Sequence, residues 1–265
     1  MSPQPSARSA ADPDQHCSSC AASSVGIDRI GSTSDEARRL ALSGAPEGTL
    51  VWAGEQTEGR GRRGRSWTSP PGNLYLSLVL RPGCTAAAAA ELGFVAAVAA
   101  GETCRQFLPA AVGLSLKWPN DVLIEGGKAA GILLETQTAA ETRLAWVVLG
   151  IGVNLVSHPA ETEYPATSLQ AAGAGRVTPA AALEALAARF LLWYERWRVE
   201  GFAPVRDAWL LRADRLGSEI RVRLPRRELT GRFLGIDEAG GLLLDHAEGR
   251  QRSAAAEVFP PCGAG

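Results

Sequence analysis

Apolar and polar positions along the chain follow two periods, and together they divide it into a mixed region and then a strand-only region. Residues 73–80 alternate Leu74, Leu76, Leu78 and Leu80 on one face, which predicts a half-buried strand ended by Pro82 and Gly83. Residues 144–153 are almost continuously apolar, the pattern of a strand central in its sheet. Shorter strands are expected at 25–30, 49–53 and 114–118. Residues 122–124 and 128–136 flank Glu125-Gly126-Gly127 as a hairpin. Residues 86–107 read as one long Ala-rich helix. A second helix opens on Thr178-Pro179 and runs to about Val199, with Leu183, Leu186, Phe190, Trp193 and Trp197 at helical intervals. A shorter helix is expected at 204–212. Thr33 and Glu36 have the spacing of a capping box that would start another helix.

Residues 157–174 show neither period and read as a loop. After Gly217 only short strands remain, at 220–224, 229–236 and 241–245, with two more before Phe259. Strands first mixed with helices and then alone indicate an α+β domain followed by a small all-β module. The expected division is a polar, Pro- and Ser-rich tail over 1–24, disordered because it has little apolar surface to bury, a domain over 25–215, and the β module over 216–265.

Bulk composition narrows the classes. The chain has 265 residues with 46% hydrophobic content, enough for a core. A formal net charge of −1 argues against bulk nucleic-acid binding. No apolar run reaches the length of a membrane span, and no apolar segment follows Met1, so the expectation is a cytoplasmic protein without a membrane contact. Five cysteines in no disulfide-rich pattern agree with a reducing compartment. Cys17 and Cys20 lack a second pair at zinc spacing and read as free thiols on the tail.

Candidate chemistry concentrates in four stretches. Residues 56–67 hold Gly59, Gly61 and Gly64 interleaved with Arg60, Arg62, Arg63 and Arg65. The glycines allow close backbone approach, and guanidinium forks match carboxylate and phosphate oxygens. Mutual repulsion predicts a loop that stays mobile until an anion arrives; the plain alternative is a solvated basic loop. The other stretches are Lys117-Trp118-Pro119-Asn120-Asp121, residues 128–135 beginning Lys128-Ala129-Ala130-Gly131, and Gly150-Ile151-Gly152-Val153-Asn154. Among 27 Lys plus Arg, only Lys117 and Lys128 are lysine, and the only asparagines are Asn73, Asn120 and Asn154. Both types lie in or beside these stretches. A compact ammonium is not replaced by a planar guanidinium, so the two lysines mark chemistry.

In this order and spacing the four stretches resemble the biotin protein ligases, and the resemblance runs from about Val25 to the C-terminus. It implies a fold like that of the class II aminoacyl-tRNA synthetases and biotin synthetases, a mixed sheet with helices, plus an SH3-like β-barrel at the C-terminus. It implies an enzyme that activates biotin with ATP and Mg²⁺ as biotinyl-5'-AMP. The biotin then passes to a lysine of the biotin carboxyl carrier domain of acetyl-CoA carboxylase or a related carboxylase. Many members carry an N-terminal winged helix-turn-helix; some 24 polar residues cannot form one, so a ligase without DNA binding is expected. Monomer and homodimer both stay open.

The resemblance also assigns residues. Ser32, Thr33, Ser34, Gln56, Gly59, Arg60, Gly61, Arg62, Lys128, Gly131 and Leu133 would meet biotin, with Ser34 standing where the family has Asn. Arg62, Arg65, Trp67, Asn120, Lys128, Gly150, Gly152 and Asn154 would meet ATP or the adenylate, the two glycines giving the purine room. Lys128, Arg62 and Asp121 would be catalytic, Asp121 as partner of the incoming lysine or of a metal. Asn120 would form the turn and contact the nucleotide or a metal, and no further metal ligand is assigned. A lipoate or octanoate ligase of the same superfold, or a non-catalytic biotin sensor, are the alternatives.

Overall fold

The structure is a computed structural model that describes residues 23–138 and 143–261. The expectations for Cys17, Cys20 and most of the tail lie outside the described residues. Twelve strands and five α-helices occur among those described. The first sheet contains β1 (Ser23–Ile30), β2 (Thr49–Gln56), β3 (Leu74–Leu80), β4 (Leu114–Lys117), β5 (Asp121–Ile124), β6 (Gly127–Thr138) and β7 (Leu144–Val153) in the order β1-β2-β3-β7-β6-β5-β4. Only β1 and β2 pair in parallel. The apolar run of β7 therefore occupies the middle of the sheet, as its pattern predicts. The β5–β6 hairpin turns through Glu125 and Gly126, both at positive φ, the backbone of a tight hairpin turn.

Helix α1 (Thr33–Leu42) covers one face of this sheet; α2 (Ala86–Ala90), α3 (Leu92–Phe107), α4 (Pro179–Glu200) and α5 (Ala203–Leu210) lie on the other. Four local expectations change. Strand β3 is buried on both faces, because Val79 packs with Ala37 and Ala41 of α1 while Leu74, Leu76 and Leu80 pack toward α3. The Ala-rich helix is divided at Glu91 into α2 and α3; the stretch Ala86–Phe107 is long and apolar enough to cross a membrane, yet it is mostly buried in the core. The capping box does not form: Ser32 is the N-cap of α1 and makes no side-chain cap bond, while the Thr33 hydroxyl turns to Gln56 and Ser77. Residues 23 and 24, assigned to the tail from sequence, belong to β1. Helix α4 begins as expected, with the Thr178 hydroxyl accepting from the Ala181 N–H.

The C-terminal strands β8 (Glu219–Arg223), β9 (Glu228–Ile236), β10 (Leu242–His246), β11 (Gly249–Ser253) and β12 (Glu257–Phe259) make an antiparallel sheet in the order β11-β10-β9-β8-β12. It shares a core with the large domain, since Ile220, Val222, Phe233 and Ile236 join the apolar cluster that contains α3. Phe94 packs edge-on to Trp209, which in turn meets Phe233. The β9–β10 turn is pressed onto Phe94: a Cβ on Gly240 would lie 2.5 Å from the ring, and the Trp118 indole donates to the Gly240 carbonyl. Gly240 also has φ +75°. Gly240→Ala is expected to cost about 1–3 kcal/mol through overpacking and backbone strain. Urea unfolding should shift as a single transition with an unchanged m-value; two separated transitions would show that the sheets unfold independently.

Candidate active site

A cavity of about 360 Å³ opens where the four stretches of chemical interest meet. Its walls come from the glycine–arginine loop, the β4–β5 turn, one face of β6 and β7, the segment 159–166, and strand β12. At one end lies a buried hydroxyl cluster. Gln56 accepts from both the N–H and the hydroxyl of Thr33, at 2.9 and 3.0 Å, and donates to Ser69. The Ser77 hydroxyl lies 2.9 Å from that of Thr33 and 3.0 Å from that of Ser34. The short Ser34 side chain finds a partner in Ser77 and sits where a Cβ on Gly150 would reach, at 3.0 Å. These groups can present donors and acceptors to a small polar ring.

The middle of the cavity is a slot floored by Gly131 and Gly152. The Trp67 indole occupies that slot: a Cβ on Gly152 would lie 2.6 Å from its Nε1, and one on Gly131 would lie 3.0 Å from its ring. In this conformation the space beside Gly150 and Gly152, expected to give room to a purine, is taken by Ser34 and Trp67. The Trp67 Nε1 is buried without a hydrogen-bond partner among the described residues.

Both lysines of the chain converge on one carboxylate. Lys128 Nζ lies 2.6 Å from Asp121 Oδ1, and Lys117 Nζ lies 3.3 Å from Asp121 Oδ2. Lys117 also lies 3.6 Å from the centre of the Tyr164 ring and donates to the Val258 carbonyl at 3.4 Å. Burial pushes the Lys117 ammonium below the usual lysine range. Burial alone would raise the Asp121 carboxyl, but the two lysines outweigh it and hold the group below an ordinary aspartate. A carboxylate so held is a poor proton acceptor. In this structure Asp121, expected to meet an incoming amine or a metal, is the ion-pair partner of both lysines. Among the described residues, no group of three or more His, Cys, Asp or Glu could hold a metal ion.

The loop arginines have separate fates. Arg60 is 2.8 Å from Asp35 and 3.2 Å from Glu135, so it ties the loop to α1 and β6. Arg63 and Arg65 reach Glu257 of β12, and Arg65 also approaches Glu163. These carboxylates offset the mutual repulsion that the sequence suggested. Arg62 alone of the four has no ion pair among the described residues. One of its amino groups donates to the Asn120 side-chain oxygen at 3.2 Å, and Asn120 is itself fastened to the Ile132 carbonyl. Burial lowers the Arg62 pKa, opposed by the nearby Asp121 charge.

Several assigned residues serve the frame in this conformation. Ser32 and Gly59 do not reach the cavity wall. Gly59 has no space for a Cβ, which would lie 2.4 Å from the Trp67 carbonyl oxygen. The Gly61 N–H donates to Arg65 within the loop rather than facing a ligand. Asn154 uses its amide to hold the Lys128 and Thr167 carbonyls, although it also lines the cavity. Leu133, Lys128 and Trp67 line it as expected. Sequence reasoning missed Glu163, Tyr164 and Glu257. The first two lie in a loop without periodicity, and the third lies in a three-residue strand.

Comparison with known proteins agrees with this geometry. Residues 65–211 match the biotin/lipoate A/B protein ligase family, and residues 216–259 match the biotin protein ligase C-terminal domain. A biotin–[acetyl-CoA-carboxylase] ligase of Paracoccus denitrificans is 46% identical over 87% of this chain and 98% of its own length. A bifunctional ligase/repressor of Bacillus subtilis is 37% identical over 87% of this chain and 72% of its length. The biotin protein ligase of Aquifex aeolicus in complex with biotin and ATP superposes with a TM-score of 0.75 at 27% identity, covering 90% of this chain and 98% of that one. Four motif stretches gathered on one cavity, a family model matched over more than half of the chain, and a Paracoccus relative matched over 98% of its length place this chain in the biotin protein ligase family.

Proposed function

We propose that this chain is an ATP-dependent biotin–protein ligase, forming biotinyl-5'-AMP and then passing biotin to a lysine of a carrier protein. The observation that carries the reading is the charge along the cavity wall, where Lys117 and Lys128 share one carboxylate, Asp121, and Arg62 has no ion pair among the described residues. The excess of positive charge suits two anionic reactants, a carboxylate and an α-phosphate, brought together out of water. In the activation step the biotin carboxylate oxygen attacks the α-phosphorus and pyrophosphate leaves. Lys128 and Arg62 would stabilise the oxygens on which charge builds, and such preorganised donors contribute most where they meet the transition state. In the transfer step a neutral substrate lysine amine attacks the anhydride carbonyl, the amide carbon–nitrogen bond forms, the carbonyl–oxygen bond to AMP breaks, and the amine's proton leaves to solvent. Positioning of the amine would supply the main acceleration, since Asp121 is already held by both lysines.

Mg²⁺ would enter with the nucleotide phosphates as its ligands, because Asp121 and Glu257 are already committed to cations. Thr33 and Ser34, held by the buried Ser77 hydroxyl, support a polar ring at that part of the cavity. The C-terminal match favours biotin over lipoate or octanoate. The carrier domain of acetyl-CoA carboxylase is the inferred partner, by analogy with the Paracoccus relative. The net charge supports a role without DNA.

The test is biotin-dependent exchange of pyrophosphate into ATP, expected with biotin and absent with lipoate or octanoate. Exchange that lipoate supports equally would overturn the assignment. Lys128→Ala is expected to lower that exchange by about 10²–10³-fold with the fold retained, as loss of a preorganised charge does. Lys128→Arg should also be poor, because a fork cannot follow one reacting oxygen; wild-type exchange in either variant would remove Lys128 from the chemistry.

Asp121→Asn leaves two ammonium groups without their carboxylate and is expected to cost about 3–5 kcal/mol at neutral pH. Because the folded carboxyl is held low, its contribution is full above the unfolded-state pKa and is lost as pH falls through the folded value. Urea titrations of both proteins should therefore converge toward acid pH. A difference that stays constant would contradict the charge assignment.

A further inference from the structure

The segment around Tyr164 is built against both lysines at once. The Lys128 N–H donates to the Pro165 carbonyl at 2.7 Å, and the Thr167 N–H donates to the Lys128 carbonyl at 3.0 Å, so residues 165–167 run along the Lys128 backbone like an added strand. The chain then carries Tyr164 back over the cavity, with the Thr162 hydroxyl donating to the Tyr164 carbonyl. The ring is half-buried and lies over Lys117, 3.6 Å from Nζ to its centre. The Lys117 ammonium thus meets three groups: the negative face of an aromatic ring, one Asp121 oxygen and the Val258 carbonyl.

We infer that Tyr164 is a positioning residue for biotin activation: its ring holds the Lys117 ammonium on Asp121 Oδ2, which leaves Oδ1 to fix Lys128 toward the reacting oxygens. This rests on the adenylating reading of the site. The ring is suited to the task because Lys117 is a buried cation that has exchanged most of its water for these partners. The charged and titratable groups that bear on it are Asp121 and Asp214, which favour the ammonium, and Lys128, which disfavours it. Arg215 and Asp214 act on the Tyr164 phenol, whose pKa burial raises to about 12, so the ring is neutral where the enzyme works. The interaction needs the ring face and not the hydroxyl. Removal of the ring by an apolar side chain keeps the burial and deletes the attraction, so the ammonium should lose its proton at lower pH. Asp121 would then be free to turn both oxygens to Lys128 and draw it from the cavity.

The experiment compares Tyr164→Phe with Tyr164→Leu in biotin-dependent ATP–pyrophosphate exchange across pH, with Tyr164→Met as a second apolar replacement. Melting temperatures near wild type confirm that each variant is folded. Tyr164→Phe is expected to match wild type. Tyr164→Leu and Tyr164→Met are expected to lose about tenfold in kcat with little change in the biotin KM, and to shift the alkaline limb of the profile toward neutral pH. If the apolar variants keep the wild-type kcat and pH profile, the inference is overturned. If Phe falls as far as Leu, the hydroxyl and not the ring is at work, and the inference is again overturned. Absence of exchange in the wild-type enzyme would instead refute the adenylating reading itself.

Discussion

The rest of the site depends on one buried carboxylate shared by two ammonium groups. Asp121 is nearly inaccessible, as is Lys117, whereas Lys128 keeps about a quarter of its surface. Removing such charges from water costs several kcal/mol per ion, and their mutual attraction offsets this only with good geometry and further partners. Here the partners are the Tyr164 ring, the Val258 carbonyl and the solvent left to Lys128. The cluster holds one more cation than carboxylate, which is the charge balance that the proposed reaction of two anions uses.

The fold supplies what this cluster requires. Lys117 and Asp121 flank the β4–β5 turn, and Lys128 begins the returning strand of the β5–β6 hairpin, so three short segments of neighbouring strands bring the charges within contact. Central strand β7 presents glycines on the cavity face, and this admits Trp67 and Ser34 where side chains would block them. The C-terminal sheet takes part directly, since Val258 and Glu257 of β12 reach Lys117 and the loop arginines. Its shared core with α3 keeps β12 at that distance.

Much of this was legible in the chain. The unbroken apolar run of β7, the Thr178 cap and the β5–β6 hairpin carry local signals strong enough to survive folding. The rarity of lysine pointed to Lys117 and Lys128, and their common partner followed in the structure. What was not legible depended on long-range pairing. The hydroxyl of Thr33 has the spacing of a cap, but Gln56 and Ser77 compete for it across the sheet. The alternation of β3 could not show that α1 covers its second face. The loop arginines look self-repelling in sequence because Glu135, Glu163 and Glu257 are far away in the chain. Asn73 stood out as one of three asparagines, yet its task appears only in the fold. Its side chain accepts from the N–H groups of Leu155, Val156 and Ser157 and so fixes the chain leaving β7.

The scarcity of lysine makes the central claim directly measurable. Protein labelled with nitrogen-15 only at lysine should give side-chain signals from Lys117 and Lys128 and no others. Two ammonium resonances are expected at neutral pH, both slowed in hydrogen exchange by the shared carboxylate. Biotin with a non-hydrolysable ATP analogue should then shift Lys128 strongly while Lys117 stays paired. A neutral amine at either position, or a ligand response at Lys117 with none at Lys128, would contradict it.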